Sequence, residues 1–219
     1  MQGLHVCVTG GTGALGGGVV AVLQARGATV HVPPAPPAGP RLDDEAAAVA
    51  YFAALPPLWA SVHLVGGFAM APIAETTLAM FEAQWRINTA TCFLACREAV
   101  KSFRRRGATG GVGGVGGRIV NVAARPVTVP AASMTAYAAA KAGVASITQT
   151  LAAELAGEQI LVNAVLPSII DTPMNRTSMP AADHATWPTP AQLAEAIAFL
   201  VSPQNALTSG ALVPVYGRA

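Results

Sequence analysis

The chain contains few charged residues, and this limits the partners it can have. Asp, Glu, Lys and Arg together make up 11% of its 219 residues, and the net charge at pH 7 is +2. A protein that binds a nucleic-acid backbone needs a broad basic face, which this composition does not supply. The dense basic cluster, Arg104 to Arg106, is expected at the end of a helix, where cations are favoured. We predict no nucleic-acid partner.

Cysteine is also scarce, and its spacing argues against disulfides and metals. The three cysteines, Cys7, Cys92 and Cys96, are an odd number without the spacing of a disulfide framework. Cys92 and Cys96 lack the His or further Cys needed to complete a zinc shell. We therefore interpret them as buried thiols and predict no metal site.

The apolar stretch 4–24 has neither the composition of a membrane span nor that of a secretory leader. It is interrupted by glycines, and it lacks the positively charged start of a signal peptide. The sequence therefore predicts a cytoplasmic location and no membrane partner.

What the chain has in excess is small aliphatic side chains. Hydrophobic residues make up 53% of the chain but aromatic residues only 5%, so that Ala and Val dominate, and these suit close packing of helices on a sheet. A chain of this length buries one sizeable core, which predicts a single domain over residues 1–219.

Apolar runs of strand length alternate with segments of helical length. Strands separated by helices predict an α/β fold with one doubly wound, Rossmann-type parallel sheet and helices on both faces. The glycine tract 107–117 follows a helix and precedes a strand, so we interpret it as a flexible loop rather than a phosphate cradle. The predicted strands are 4–8, 28–32, 62–65, 118–122, 160–165 and 211–215, and the predicted helices are 14–26, 43–55, 75–106 (one or two), 133–156 and 190–201.

A glycine-rich turn lies between the first predicted strand and the first predicted helix. Glycine lets the backbone approach a pyrophosphate, and the helix N-terminus attracts its charge. Any tight turn from strand to helix also favours glycine, so this turn alone leaves a nucleotide site open. The candidate cofactor residues of the turn are Gly10, Thr12, Gly13, Leu15 and Gly16.

Tyr137 and Lys141 form a second candidate constellation, on the helix after the fourth predicted strand. A spacing of four places phenol and ammonium on one helix face. The ammonium is expected to lower the pKa of the phenol from about 10, so that Tyr137 can donate a proton to a reduced substrate. Lys141 is also expected to hold a cofactor ribose.

The chain resembles the short-chain dehydrogenase/reductase family over its whole length. The resemblance rests on the order of four features: the glycine turn, Asn88, Tyr137-x-x-x-Lys141 and the segment 163–167. The resemblance implies an NAD(P)-dependent enzyme acting on a small molecule, in which Asn88 shapes its helix and supports a water relay to Lys141. It also implies a homodimer or homotetramer formed through helices around 80–105 and 134–156. The further residues it assigns to the cofactor are Asp43, Gly66, Gly67, Pro167, Ile170 and Thr172.

The chain departs from the family pattern at Ala124, where a catalytic Ser is usual. Ser133 and Thr135 lie nearby in sequence and offer hydroxyl groups, although both are expected to cap the helix that follows. The dihydropteridine reductase branch of the family works without this Ser, and the segment 165–183 resembles that branch. The resemblance implies a conjugated acceptor such as quinonoid dihydropteridine, with a substrate lid over 168–188. Candidate substrate contacts are Phe68, Met174 and Met179.

The choice of cofactor and of function stays open at this stage. The second strand ends in Val32-Pro33-Pro34, without the acidic residue that binds an NAD ribose, and the nearby charge is Arg41. We predict NAD or NADP, with a slight preference for NAD. The alternatives to a conjugated-acceptor reductase are a general carbonyl reductase or alcohol dehydrogenase, and a non-catalytic cofactor-sensing or structural protein.

Overall fold

A single parallel sheet forms the centre of the molecule. The computed structural model describes residues 1–108 and 116–218. The strands within these ranges are β1 (His5–Thr9), β2 (Thr29–His31), β3 (Ala60–His63), β4 (Gly117–Val122), β5 (Ile160–Pro167) and β6 (Leu212–Val215). All neighbouring strands pair in parallel, in the order β2-β1-β3-β4-β5-β6.

Helices cover both faces of this sheet. The helices of the described residues are α1 (Ala14–Ala25), α2 (Glu45–Ala54), α3 (Leu78–Gln84), α4 (Thr91–Ala108), α5 (Thr135–Glu154), α6 (Pro173–Ser178) and α7 (Pro190–Val201). Val6 and Val8 of β1 pack with α1 and α7, whereas Cys7 between them packs with α2 and α4. This alternation follows from the two-residue period of a strand. The predicted fold class is therefore confirmed.

The long helical stretch predicted over 75–106 is divided. A π-helical segment, Trp85–Ala90, joins α3 to α4, and Asn88 lies within it. At the start of α2 the capping residue is Asp44, whose side chain accepts a hydrogen bond from Ala47 N, and not Asp43.

Other boundaries differ from the sequence prediction by a few residues. The predicted strand 62–65 lies two residues too late, since β3 begins at Ala60. Gly107 and Ala108 belong to α4 and Gly117 to β4, so the predicted loop 107–117 is shorter than expected. Its central residues, 109–115, lie outside the described part of the chain.

Several candidate residues lie beyond the carboxyl-terminal ends of the strands, on one side of the sheet. β1 lies between β2 and β3, so the order in which successive strands are added to the sheet reverses at β1. In sheets of this kind, ligands bind beyond the carboxyl ends of the strands at the point of reversal. The glycine turn follows β1, Gly66 to Phe68 follow β3, and Ala124 follows β4. Among the helices of the described residues, none is long and apolar enough to span a membrane.

Candidate functional site

The glycine turn brings the backbone close to the next strand and leaves a helix end open. Gly10 has a φ of +74°, and a Cβ there would lie 2.8 Å from the backbone of Leu64 and Val65. A Cβ on Gly16 would lie 2.4 Å from the carbonyl oxygen of Gly10. Both positions therefore require glycine. Gly10 needs it because of its positive φ and its close approach to the segment after β3, and Gly16 needs it because of packing within the turn itself.

Beyond this turn, the N-terminus of α1 faces outward. Gly13 is its N-cap, and no side chain among the described residues caps this end. Thr12 and Gly13 are exposed and Leu15 is half-buried. The first N–H groups of a helix lack intrahelical acceptors, so this end presents free donors and a positive dipole to an anion. The use of this end as a pyrophosphate cradle stays a prediction.

Tyr137 lies in the first turn of α5, against an exposed aromatic ring. Its ring and that of Phe68 meet edge to face, with centroids 5.0 Å apart. The expectation that Ser133 or Thr135 caps this helix is wrong, because the N-cap is Met134 without a side-chain bond and Thr135 is the first helical residue. Ser133 instead has a φ of +60°, and its carbonyl oxygen accepts a hydrogen bond from Ala71 N.

Lys141 is buried one turn further along α5. Its Nζ donates to the carbonyl oxygen of Val122 at 2.8 Å, at the end of β4. An ammonium group has three N–H donors, and among the described residues the Val122 carbonyl oxygen accepts from one of them. A Cβ on Gly66 would lie 3.3 Å from this Nζ, so glycine keeps the space beside the ammonium open. Lys141 therefore retains donors for a ligand.

The two titrating groups do not act on each other as the sequence predicts. Burial raises the pKa of Tyr137 to about 12. Burial also lowers the pKa of Lys141 to about 8, against a smaller raising effect of the nearby Cys92. The expected lowering of the phenol pKa by the ammonium is thus reversed, because Nζ lies 5.9 Å from the ring centroid and desolvation dominates. Tyr137 is protonated at neutral pH and suited to donate a proton.

Asn88 connects the π-helical segment to the loop after β3. Its Nδ2 donates to the carbonyl oxygens of Gly67 and Gln84, both at 3.0 Å, and its Oδ1 accepts from Gly67 N at 3.2 Å. The neighbouring Thr89 donates to the carbonyl oxygen of Ala140 in α5. Asn88 thus holds Gly67 beside the helix that carries Lys141, which fits the helix-shaping role that the resemblance implies. The water relay to Lys141 stays a prediction.

Ala124 is the second residue after β4 and is almost fully buried. Its side chain offers no hydroxyl to polarise a substrate oxygen. Ser133 lines a small cavity with Met70, Met80 and Gln84.

Arg41, the charged residue near the end of β2, is paired with Asp43, which the resemblance assigns to the cofactor. Arg41 binds Asp43 through two hydrogen bonds, of 3.2 and 2.8 Å, and Arg86 contacts the same carboxylate at 3.4 Å. The Arg41 bond holds the pKa of the Asp43 carboxyl below its usual range. Arg41 is therefore bound to a carboxylate, which it shares with Arg86.

The segment after β5 is built around a short helix that the sequence analysis missed. Buried Thr172 caps α6 by accepting from Asn175 N, and Asn175 Nδ2 donates to the carbonyl oxygen of Ile170. Asp171 N donates to the carbonyl oxygen of Pro188, which ties the two ends of the predicted lid together. Pro167 ends β5 in a buried position.

The three candidate substrate residues lie in different environments. Phe68 contacts Tyr137 directly and is 57% exposed, so one face of its ring is free. Met174 is exposed on α6, and Met179 is half-buried at the C-terminal end of that helix. The structure thus joins Phe68 to the candidate catalytic pair.

Several polar residues near the site were not identified from the sequence. Gln84 is buried against Asn88, and their spacing of four within a helical stretch was the available signal. Buried His63 ends β3 and contacts Asn121 and Cys96. Its signal was a polar residue at the end of an apolar strand, but its meeting with Cys96, 33 residues away, depends on the fold.

Comparisons of sequence and of structure both find dehydrogenases and reductases among the proteins similar to this chain. A family described as short chain dehydrogenase matches residues 41–183. A cis-4-hydroxycyclohexanecarboxylate dehydrogenase from Sinomonas cyclohexanicum is 33% identical over 156 residues, covering 67% of this chain and 59% of that protein. An inactive 2-(S)-hydroxypropyl-CoM dehydrogenase 2 from Xanthobacter autotrophicus is 33% identical over 199 residues, covering 82% of each chain.

Solved structures agree over nearly the whole chain. The crystal structure of a 3-ketoacyl-(acyl-carrier-protein) reductase from Brucella melitensis, complexed with NADH, superposes with a TM-score of 0.88 at 26% identity. The alignment covers 99% of this chain and 98% of that one.

Proposed function

The chain belongs to the short-chain dehydrogenase/reductase family, and we propose that within it the protein is an NAD(P)-dependent reductase of a conjugated acceptor, with Tyr137 as proton donor. The observation that carries the proposal is the combination of the Tyr137–Lys141 pair with Ala124. The pair retains the means of proton transfer, whereas the group that would polarise a carbonyl oxygen is absent. A conjugated ring such as quinonoid dihydropteridine accepts a hydride with less polarisation of an oxygen.

The geometry fits a dinucleotide. The open N-terminus of α1 would hold the pyrophosphate, and the remaining donors of Lys141 would bind ribose hydroxyls. Asp43, Gly66, Gly67, Pro167, Ile170 and Thr172 are assigned to the same ligand. When bound, the nicotinamide supplies the hydride.

The chain's own residues then manage the proton. Tyr137, with its pKa raised to about 12, stays protonated at neutral pH and gives its proton to the reduced substrate. Lys141, with its pKa lowered to about 8, lies close enough to neutrality to return a proton toward the phenol through the ribose or through water. Phe68 presents its free face to the substrate and shields Tyr137 from solvent.

NAD is favoured over NADP by the pairing of Arg41. A 2′-phosphate needs an unpaired cation at the end of β2, and Arg41 is bound to Asp43. The NADH complex of the Brucella reductase supports the same preference.

The decisive measurement is oxidation of NADH and NADPH with quinonoid dihydropteridine, beside a simple ketone. We expect dihydropteridine-dependent oxidation that falls about 10²- to 10⁴-fold in Tyr137→Phe, because that variant removes the general acid. Tyr51→Phe, which alters a tyrosine of α2 remote from this edge, is the matched control. Turnover of the ketone alone would overturn the choice of acceptor.

Two observations favour other functions of the same fold. The Sinomonas and Brucella relatives carry the names of a dehydrogenase of a hydroxy acid and a ketoacyl reductase, which supports a general carbonyl reductase as second candidate. The Xanthobacter relative is named inactive, which supports a cofactor-binding protein without turnover. Measurable binding of cofactor without oxidation by any acceptor would identify this last case.

We also propose a homodimer or homotetramer formed through α4 and α5. A groove of about 440 Å³ runs between these helices, lined by apolar residues such as Phe93, Ile147 and Leu151 with charged residues at its margin. Phe93 is 49% exposed there, which suits a surface that a second copy covers.

A further inference from the structure

We propose that His63, Cys92 and Cys96 form a binding site for one thiophilic cation, Zn²⁺, in the core between the sheet and α4. These three residues, the His-Cys-Cys cluster, each offer a ligand atom, and the three atoms lie within 4.8 Å of one another. In the described ranges this is the one group of three or more metal-ligating side chains so arranged. The proposal does not rest on the reductase function proposed above, although Cys92 lies near Lys141.

Local structure brings the three ligands together. Cys92 and Cys96 are separated by four residues on α4, so their side chains lie on one helix face. That face packs on the end of β3, where His63 is the last strand residue. His63 also pairs in register with Asn121 of β4, so both side chains project to the same side of the sheet.

Two of the three distances within the cluster match the edges of a zinc coordination tetrahedron. The two sulfur atoms are 4.0 Å apart, and Cys96 Sγ lies 3.5 Å from His63 Nδ1. With ordinary Zn–S and Zn–N bond lengths, the corresponding tetrahedral edges are about 3.8 Å and about 3.5 Å. The ligand atoms of Cys92 and His63 lie within 4.8 Å of each other, so closing this third edge to about 3.5 Å needs side-chain shifts of up to about an ångström.

A fourth ligand atom and an outer shell are also present. Oδ1 of Asn121 lies 2.8 Å from Nδ1 of His63 and 3.5 Å from Sγ of Cys96, close enough to two of the ligands to serve as the fourth. Its Nδ2 donates to Thr148 Oγ1, which fixes the amide with its oxygen toward the cluster. On the other side of the imidazole, Nε2 lies 2.8 Å from Ser61 Oγ. With the metal on Nδ1, Nε2–H donates to Ser61, as ring N–H groups of zinc-bound histidines do.

The charge balance suits burial. The side chains of the cluster have little or no exposure, so an isolated charge there would be strongly disfavoured. Zn²⁺ with two thiolates, a neutral imidazole and an amide oxygen has no net charge, and the protons of the two thiols pass to solvent on binding. Thiolate and imidazole ligands in a tetrahedron select zinc over the harder Mg²⁺ and Ca²⁺.

A buried site of this kind takes up its metal while the chain folds. We would therefore express the full chain in zinc-supplemented medium, remove loosely bound metal with a chelator and measure zinc per chain. We expect about one zinc ion per chain in the wild type and at least a tenfold loss in Cys92→Ser and Cys96→Ser. Cys7→Ala, which removes the third buried cysteine but no ligand, is the matched control and should keep its zinc.

Cobalt substitution tests the ligands even where a serine variant folds poorly. Co²⁺ in the cluster should give sulfur-to-cobalt charge transfer and the intense visible bands of a tetrahedral site. His63→Cys keeps a ligand at this position and should strengthen the charge-transfer band, because it adds a third thiolate. A folded wild type with neither zinc nor a charge-transfer band overturns the proposal, as does bound cobalt with a spectrum unchanged by His63→Cys.

Discussion

The ring of Phe68 stands nearly perpendicular to that of Tyr137, at 84°, with the two centroids 5.0 Å apart. Phe68 follows β3 and Tyr137 begins α5, so the contact joins two segments that are distant in sequence. It covers the phenol on the side where the substrate is proposed to bind. The raised pKa of Tyr137 has burial as its cause, and Phe68 contributes to that burial.

Phe68→Ala should lower the pKa of Tyr137 from about 12 toward its ordinary value of 10, because water then reaches the phenol. Reduction needs the protonated phenol, so the alkaline limb of the pH–rate profile should move to lower pH. The profile of kcat/KM against pH measures this shift, with Phe68→Leu as the control that keeps the site covered. An unshifted limb in Phe68→Ala would mean that other groups bury the phenol.

Gly16→Ala and Gly17→Ala should have opposite effects although they are adjacent in α1. A Cβ on Gly16 would meet backbone atoms of the turn at 2.4 to 2.5 Å, whereas a Cβ on Gly17 meets nothing within 4 Å. We expect Gly16→Ala to destabilise the fold and weaken cofactor binding at least tenfold, since the turn must shift. Gly17→Ala should raise the free energy of unfolding by about 0.5 to 1 kcal/mol. Urea denaturation and cofactor titration of both variants test this contrast.

Ala124→Ser should restore a hydroxyl group at the end of β4 and increase turnover of a simple ketone. One added donor to a developing oxyanion is expected to raise kcat about tenfold or more. Ala123→Ser is the matched control, because Ala123 is buried in the core and its N–H is bound to Val165 O. An equal gain in both variants, or in neither, would refute the role that we assign to Ala124.

Lys141→Met should stabilise the fold near neutral pH while removing activity. The pKa of Lys141 is lowered from 10.5 to about 8, so below pH 8 the folded protein carries the full cost of a buried ammonium. Between these values the unfolded chain binds more protons, and the stability of the wild type rises with pH. We expect an advantage on the order of 2 kcal/mol for the variant at pH 7 that shrinks toward pH 10.5, after allowing for the lost bond to Val122. Urea denaturation at several pH values provides the check, and a constant difference would contradict this cause.

Phe93→Glu should dissociate the proposed oligomer. A charge placed in the apolar groove between α4 and α5 cannot be buried against a second copy without a large desolvation cost. Leu207→Glu, which changes a residue 90% exposed between α7 and β6, is the control. Sedimentation velocity should show a smaller species for Phe93→Glu alone. A monomeric wild type would refute the proposed assembly.

Local patterns in the sequence were sufficient for the fold class and for much of the site. The helix predicted over 190–201 is observed with the same bounds, because Thr189 caps it and Pro190 occupies its first turn. The glycine turn was predictable because a strand, a tight turn and a helix each leave a short-range signal. Tyr137 and Lys141 were identifiable because both lie on one helix at a spacing of four.

Short sequence patterns did not predict the local structure where the same residues are compatible with two conformations. The predicted helical stretch 75–106 gave no sign of its π-helical segment, because polar and apolar residues continue at helical spacing through Trp85–Ala90. The helix predicted over 43–55 begins at Glu45 because Asp44 caps it, and the sequence does not show which of two adjacent aspartates is the cap. In the structure Asp43 binds Arg41 instead, and that choice depends on how the loop before α2 is folded.

The sequence by itself determined a doubly wound parallel sheet of the short-chain dehydrogenase/reductase family, because periodicity, turn residues and motif order are local properties of the chain. Only the tertiary structure decided the pKa directions of Tyr137 and Lys141, since burial is set by the surrounding elements. It also decided the meeting of His63 with Cys92 and Cys96, which the spacing of the cysteines does not predict. Contacts across 33 residues form when a strand and a helix pack, and no short pattern encodes that packing.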